Sequence, residues 1–301
     1  MNQGDRKRNI QLYLQLIRVK QYIKNGLIFL AAFFAGTILE KETFFRLLTG
    51  FAAFSCFCSS VYILNDIRDV EKDRRHPVKS RRPLASGAIS VKQAAVAGGM
   101  MLTAGYLLLS LTQGEWFGKA HAFVFLYLIL NAGYSFGLKN VPILDIMILT
   151  SGFLIRVLYG AALCGTWVSN WLYLTVFMIS LYMGTGKRKN ERMAEPGWET
   201  RKVLQFYSPS FLEKIMQMSM VLAITFYSLW SSSMADRNFL ASYMIWTVPL
   251  VLAIVMRYEM LVEKDVYGDP TDIILADKPI QILVGVYAVM DMGILYGKHG
   301  F

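Results

Sequence analysis

Long apolar runs recur along nearly the whole chain and restrict the folds that it can adopt. Each run approaches the roughly 20 residues that a helix needs to cross a hydrocarbon core of about 30 Å. Of the 301 residues, 55% are hydrophobic and only 17% are charged, which is typical of a polytopic membrane protein. We predict about nine spans of this kind, near residues 25–39, 44–64, 91–111, 120–138, 141–163, 168–186, 212–232, 239–258 and 279–297.

These runs are predicted to be helices. Backbone polar groups in lipid need partners within the membrane, which leaves helices and closed barrels, and the runs lack the alternation of barrel strands. We therefore predict an all-α bundle that forms one transmembrane domain over residues 1–301. Lys and Arg crowd into the amino-terminal segment and the loops after the second, fourth, sixth and eighth spans. That bias predicts a cytoplasmic amino terminus and an external carboxyl terminus in the cell membrane.

The net charge of +10 has two interpretations. It can reflect this topological bias together with attraction to anionic membrane lipid, or it can include side chains that bind phosphate. No compact basic domain is present, so we predict no nucleic-acid partner. The three cysteines, Cys56, Cys58 and Cys164, lie in apolar runs and are interpreted as small hydrophobic residues.

A dense acidic stretch, NDIRDVEKDRRHP, follows the second predicted span. On a continuous helix, four oxygen-bearing side chains fall within about 100° of one another: Asn65, Asp66, Asp69 and Asp73. Carboxylates on one face repel each other, so we expect a cation between them. Mg²⁺ commonly takes one or two carboxylates together with the phosphates of a substrate. The alternative is a solvated acidic face that is neutralised by the basic residues after it.

An arginine, Arg156, lies inside the fifth predicted span. An arginine in lipid is costly and should face a polar cavity. Asp145 precedes it by a distance of about 16 Å along the helix and points in nearly the same direction. A guanidinium binds phosphate through two parallel hydrogen bonds, so we predict that Arg156 binds phosphate. A structural ion pair is the alternative.

The stretch NDIRDVEKDRRHPVKSRRPLASGAIS resembles the first signature of the UbiA superfamily of intramembrane prenyltransferases, Asn-Asp-x-x-Asp-x-x-x-Asp followed by Arg-Pro-x-x-x-Gly. In that superfamily the motif holds Mg²⁺ against a diphosphate, and the fold is a nine-helix bundle. The resemblance implies Mg²⁺ as cofactor, held by Asn65 and by three catalytic aspartates, Asp66, Asp69 and Asp73. It also implies substrate contacts for basic residues that follow, Arg74, Lys79 and Arg82.

The segment RVKQYIKNG resembles a second family pattern, Arg-Pro-x-Gln-Trp-x-Lys-Asn, at the entry to the first span. Val19 replaces the usual proline and Tyr22 the tryptophan. Lys20, Lys24 and Asn25 can face one cavity on a helix, and the resemblance implies that they contact the substrate. The alternative for the two lysines is that they extend along the membrane interface.

The superfamily's second acidic motif is absent from the loop after the sixth span. In its place stands GKRKNE, with Lys187, Arg188 and Glu191. This exchange removes metal ligands and supplies phosphate partners. It resembles the decaprenyl-phosphate phosphoribosyltransferase branch of the superfamily, in which 5-phosphoribose moves from phosphoribosyl pyrophosphate to a polyprenyl phosphate. The alternative for Lys187 and Glu191 is an ordinary helical ion pair.

Three further blocks resemble the same branch: YSFGLKNVPILDI, GFLIRVLYG and KDVYGDPTDIILADKPIQ. They imply additional substrate contacts at Tyr134, Lys139, Asp145, Asp265, Asp269 and Asp272. Helix capping is the alternative for the Asp-Pro-Thr-Asp segment.

The sequence therefore predicts an Mg²⁺-dependent enzyme at the cytoplasmic face of the membrane, with phosphoribosyl pyrophosphate and a polyprenyl phosphate as substrates. One alternative is a prenyltransferase that uses an isoprenyl diphosphate donor, which the basic second loop disfavours. Another is an anion transporter, which needs no Mg²⁺ site. The oligomeric state does not follow from the sequence.

Overall fold

A computed structural model describes residues 3–112, 116–194, 202–236, 239–263 and 270–297. These residues are mostly helical and contain no β-strand, which confirms the predicted all-α class. The α-helices of the described residues, α1 to α12, are Gln3–Leu16, Leu30–Ala35, Lys41–Arg68, Val70–Arg75, Val91–Ser110, Phe117–Phe136, Leu144–Cys164, Asn170–Ala194, Pro209–Ser233, Val248–Glu263, Pro270–Ala276 and Lys278–Tyr296. The two longest 3₁₀ segments are Val19–Phe29 and Leu240–Thr247.

Helices long and apolar enough to cross a membrane number five among the described residues: Lys41–Arg68, Val91–Ser110, Leu144–Cys164, Leu240–Glu263 and Lys278–Tyr296. Three other predicted spans fall on α6, α8 and α9. The first predicted span differs, because it begins in the 3₁₀ segment Val19–Phe29 and becomes α-helical only at Leu30. Gly26, a poor helix former, lies inside that segment. The count of nine membrane helices therefore stays a prediction.

Contacts divide the chain into two compact units. The first comprises residues 1–32, 37–137 and 155–166, and the second comprises residues 33–36, 138–154 and 167–301. The division falls inside α7, between Leu154 and Ile155. Each unit has a buried apolar core of its own. The prediction of one continuous domain stays a prediction.

The core of the first unit is built around α3. Leu47, Phe54 and Phe57 of this helix are fully buried and pack with Tyr127 of α6 and Tyr159 of α7. Lipid tails are as apolar as these side chains, so helices in a membrane associate through close van der Waals packing of this kind rather than through removal of apolar surface from water. The packing also holds the carboxyl-terminal end of α3, which carries the acidic stretch, against its neighbours.

Close helix contacts in the first unit require glycine at two positions. A Cβ atom at Gly160 of α7 would lie 1.9 Å from the carbonyl oxygen of Ile28, so any side chain there would clash with backbone. A Cβ atom at Gly105 of α5 would lie 2.8 Å from the ring of Phe57 on α3. Gly160 therefore lets α7 approach the 3₁₀ segment that carries Asn25.

The second unit packs α8 along α9. One buried cluster joins Tyr182 of α8, Met216 of α9 and Val262 of α10 to residues of α11 and α12. Another joins Ile146 of α7 to the segment before α9 that contains Tyr207. This second cluster surrounds the start of α7 and so positions Asp145.

Candidate active site

The acidic stretch occupies the end of α3 and the short helix α4. Asp66 and Asp73 are buried, with 4% and 5% of their surface exposed, and Asp69 is half-buried between the two helices. The amide of Asp69 donates to the carbonyl of Asn65 at 2.9 Å, and the amide of Asp73 donates to the carbonyl of Asp69 at 2.8 Å. The helical hydrogen-bond pattern thus continues across the junction and brings Asp73 back beside Asp66.

Two arginines neutralise these buried carboxylates. Nη1 of Arg82 donates to Oδ1 of Asp66 at 3.2 Å and to Oδ2 of Asp73 at 2.5 Å. Nη2 of Arg18 also donates to Oδ1 of Asp66, and its guanidinium lies 4.9 Å from the centre of the Tyr62 ring. Such charge-assisted bonds are among the stronger ones in proteins. The structure therefore joins three predicted site residues and adds Arg18 to them.

Arg18 and Ser135 were not predicted as site residues. Arg18 adopts a left-handed backbone conformation, with φ 54° and ψ 50°, at the start of the segment Val19–Phe29. The available signal was its place as the first residue of RVKQYIKNG. Ser135, near the end of α6, donates to the side-chain oxygen of Asn65. No sequence pattern indicated this contact, because α6 and α3 meet only through packing.

The donor set here fits a divalent cation. Asp66 and Asp73 share one cationic group, which shows that their position favours positive charge, and Mg²⁺ is commonly bound by one or two carboxylates with phosphate oxygens. Within the described part of the chain, no three Asp, Glu, His or Cys side chains are arranged to hold a metal. Two of the predicted ligands thus lie together, and ligation of a cation by Asn65, Asp66, Asp69 and Asp73 stays a prediction.

A second cluster in the first unit joins Arg156 to Asn25. Nε of Arg156 donates to Oδ1 of Asn25 at 2.8 Å, and Nη2 donates to Sγ of Cys58 at 3.3 Å. Its guanidinium lies 5.2 Å from the ring centre of Phe54 and 5.3 Å from that of Tyr127. Arg156 is thus buried inside the protein among polar and aromatic side chains, away from lipid, as its cost there requires. Cys58 belongs to this hydrogen-bonded cluster, so it is more than a small hydrophobic residue.

The second unit contains a buried ion pair. Arg188 and Asp145 are both fully buried, and Nε of Arg188 donates to Oδ2 of Asp145 at 2.6 Å. Nη1 of Arg188 donates to Oε2 of Glu191, also at 2.6 Å. Three residues predicted to bind substrate therefore form one network. Lys187, the next predicted residue, is half-buried beside them.

Tyr207 completes this network and was not predicted. Its hydroxyl donates to Asp145 and accepts from the amide of Ile143 at 2.6 Å. Burial, together with the bond to Asp145, raises the pKa of Tyr207 above its ordinary value, so the hydroxyl remains a donor at neutral pH. The amide of Ile143 is presented by a left-handed backbone, with φ 69°, which is rare for a β-branched residue. Ile143 lies in the block YSFGLKNVPILDI, but its contact with Tyr207 depends on packing.

The other predicted residues have varied surroundings. Lys20 and Arg74 are exposed, and Arg74 pairs with Glu71 at 2.7 Å. Tyr134 is buried at the end of α6. Lys24, Lys79 and Lys139 are half-buried. Asp265 and Asp269 lie outside the described residues, as does the side chain of Asp272.

The sequence matches the model of the UbiA prenyltransferase family over residues 26–266. It is 34% identical over 281 residues to a decaprenyl-phosphate phosphoribosyltransferase of Corynebacterium glutamicum, covering 90% of this chain and 82% of that protein. A protein of the same name from Mycolicibacterium smegmatis is 33% identical over 295 residues, covering 93% of this chain and 91% of that protein.

Solved structures share the fold. A UbiA homolog from Archaeoglobus fulgidus bound to DMAPP and Mg²⁺ has a TM-score of 0.70 at 16% identity, covering 95% of this chain and 99% of that one. An apo UbiA homolog from Aeropyrum pernix has a TM-score of 0.65 at 15% identity, covering 90% of this chain and 97% of that one. At these identities the likeness concerns the fold alone.

Proposed function

The chain belongs to the UbiA prenyltransferase family, and we propose that it is a polyprenyl-phosphate phosphoribosyltransferase whose donor is phosphoribosyl pyrophosphate. The observation that carries this proposal is the identity of 34% and 33%, over 90% and 93% of the chain, with proteins named decaprenyl-phosphate phosphoribosyltransferase. The acceptor is a polyprenyl phosphate held in the membrane. The products are a lipid-linked sugar phosphate and diphosphate.

The reaction exchanges one bond at the anomeric carbon of the ribose. The bond from that carbon to the diphosphate breaks, and its electron pair leaves with the diphosphate. An oxygen of the acceptor phosphate then forms the new bond. Because this phosphate is already ionised near neutral pH, no side chain has to remove a proton from it. The tasks of the protein are to position the substrates and to neutralise the leaving group.

We assign the leaving diphosphate to the acidic stretch of the first unit. Asp66 and Asp73 would hold Mg²⁺, with Asn65 and Asp69 as further predicted ligands, and the bound cation would neutralise the diphosphate. Arg82 supports this assignment, since its bonds to both carboxylates use one nitrogen and its side chain is 32% exposed. A guanidinium has five N–H donors, so Arg82 can also donate to a diphosphate.

The remaining phosphates are assigned to basic residues in each unit. In the first unit, Arg156 is the proposed phosphate ligand, and its Nε donates to Oδ1 of Asn25 in one buried cluster. In the second unit, Lys187 is the proposed phosphate ligand, while the ion pair of Arg188 with Asp145 holds that part of α8 in place. Lys20, Lys24 and Lys139 remain proposed contacts for substrate. The donor is soluble in water, which agrees with an active site on the cytoplasmic side predicted from Lys and Arg.

Transfer of labelled phosphoribose tests the proposal. We expect the purified protein in detergent, given Mg²⁺, ribose-labelled phosphoribosyl pyrophosphate and polyprenyl phosphates of several lengths, to produce label that extracts with lipid. EDTA should stop the reaction. Consumption of an isoprenyl diphosphate instead would establish a prenyltransferase. Anion flux in proteoliposomes without any product would establish a transporter, and either result would overturn the proposal.

A further inference from the structure

Helix α12, Lys278–Tyr296, buries a carboxyl group that the proposed reaction does not use. Asp291 has no exposed surface. Asp291 and Ile280 are the two buried residues of this helix. The helix is mainly apolar and is one of the five candidate membrane spans among the described residues. It places Asp291 about 20 Å along its axis from Lys278. An acidic side chain at such a depth usually marks a functional site.

The surroundings of Asp291 do not satisfy its carboxyl oxygens. Neither oxygen accepts a hydrogen bond of normal geometry from a described residue. The hydroxyl of Tyr287, one helical turn earlier, lies near the carboxyl group and is at most a weak donor to it. A carboxylate buried in this way is strongly unfavourable unless a positive group compensates it. Among the described residues, no basic side chain acts on its charge.

The groups near Asp291 present oxygen atoms. The Tyr227 hydroxyl, from α9, donates to the Tyr287 hydroxyl at 3.1 Å and lies 2.5 Å from Oγ1 of Thr247. Thr247, in turn, donates to the carbonyl of Met244 at 2.6 Å. Tyr227 and Thr247 are buried, so these hydroxyls form a polar cluster in an apolar part of the second unit. Neutral oxygens beside one carboxylate are the ligands that hard cations prefer.

We propose that Asp291, with the hydroxyl of Tyr287, binds a monovalent cation, Na⁺, inside the second unit. The carboxylate supplies the compensating charge, and the tyrosine supplies a neutral oxygen ligand. This site is distinct from the Mg²⁺ site assigned to Asp66 and Asp73 and does not depend on the proposed reaction. A ligand that binds the folded state alone raises its stability by mass action. Above the dissociation constant, stability of the protein should therefore rise with the logarithm of the Na⁺ concentration.

Thermal unfolding of the full chain in detergent tests this site. The unfolding temperature is measured in NaCl and in choline chloride at equal ionic strength, with EDTA present to remove divalent cations. We expect it to rise by about 5 °C at a Na⁺ concentration 100 times the dissociation constant, and to continue rising with the logarithm of that concentration. Equal unfolding temperatures in the two salts would overturn the proposal and leave a proton as the occupant of the carboxyl.

Variants separate this site from a general effect of salt. Asp291→Asn should lose the response to Na⁺ and, without Na⁺, be at least as stable as the wild type, because an amide buries no charge. Tyr287→Phe keeps the carboxyl and should weaken the response. Asp277→Asn, which changes the acid at the start of the same helix, should keep it. A full response to Na⁺ in Asp291→Asn would overturn the proposal. If that variant fails to fold, the proposal is tested by comparing the Na⁺ response of Tyr287→Phe with that of the wild type, and equal responses would overturn it.

Discussion

Asp66 and Asp73 are separated in sequence but meet at one side chain, Arg82. Their burial matters because a buried pair of carboxylates is stable only beside positive charge. In the resting protein the arginines supply that charge. The same two carboxylates are therefore the positions at which loss of charge should have the largest effect on the reaction.

Asp73→Asn should lower turnover by about 100-fold or more, since an amide cannot replace the charge that holds a cation against the leaving group. Transfer of labelled phosphoribose at saturating donor measures the effect, and size-exclusion chromatography reports whether the bundle remains folded. Glu71→Gln is the matched control, because Glu71 lies on the same short helix but is exposed and pairs with Arg74. Equal turnover in the two variants would contradict the assignment.

Arg188→Met should destabilise the protein by about 3–5 kcal/mol, because it leaves the charge of Asp145 buried and uncompensated. A second change, Asp145→Asn, should recover most of that loss. Denaturant unfolding in detergent provides the comparison. Lys189→Met is the control, since its partner Glu213 is half exposed and the pair is worth at most about 1 kcal/mol. If the double variant were no more stable than Arg188→Met, the ion pair would not be the cause.

The acidic side chains were predicted to share one face on the assumption of an uninterrupted helix, but the chain is interrupted where α3 meets α4. Asp69, with φ −99° and ψ 8°, separates the two helices. The bond from the amide of Asp73 to the carbonyl of Asp69 nevertheless continues the turn. Asp66 and Asp73 therefore keep the expected common face, since Arg82 donates to both of them. The direction of the Asp69 side chain depends on the interruption between the two helices.

The start of α7 depends on a strained residue, Ile143. A left-handed conformation costs an L-residue about 1–2 kcal/mol, and Asn tolerates it better than a β-branched side chain does. Ile143 is 60% exposed, so replacing it loses little packing. Ile143→Asn should raise the free energy of unfolding by about 1 kcal/mol. Val141→Asn, at a nearby exposed position, is the control and should not raise the free energy of unfolding. A lower free energy of unfolding in Ile143→Asn would show that the strain is not relieved.

The orientation that we predict from the distribution of Lys and Arg can be tested with single cysteines. Val78 and Leu111 are both 71% exposed and lie beyond opposite ends of α5. In a background with the three native cysteines replaced by alanine, an impermeant maleimide added to intact cells should label Leu111→Cys and spare Val78→Cys. Permeabilised cells provide the control, since both should then react. The reverse pattern would place the acidic stretch outside the cell.

Composition and local spacing were sufficient to predict the helical class, the acidic stretch and the buried arginine in α7. These features depend on the cost of exposing polar backbone in lipid and on the periodicity of a helix, which are properties of neighbouring residues. The family resemblance added the type of substrate. The positions of most predicted spans also followed from hydrophobicity, except where the first becomes a 3₁₀ segment.

Packing alone decided which side chains meet. Arg18 reaches Asp66 across 48 residues, Arg156 reaches Asn25 across 131, and Tyr207 reaches Asp145 across 62. Such contacts depend on how helices approach one another, for example where Gly160 allows α7 to touch the backbone of Ile28. A pattern that reports only the direction of each side chain around its own helix cannot contain that information.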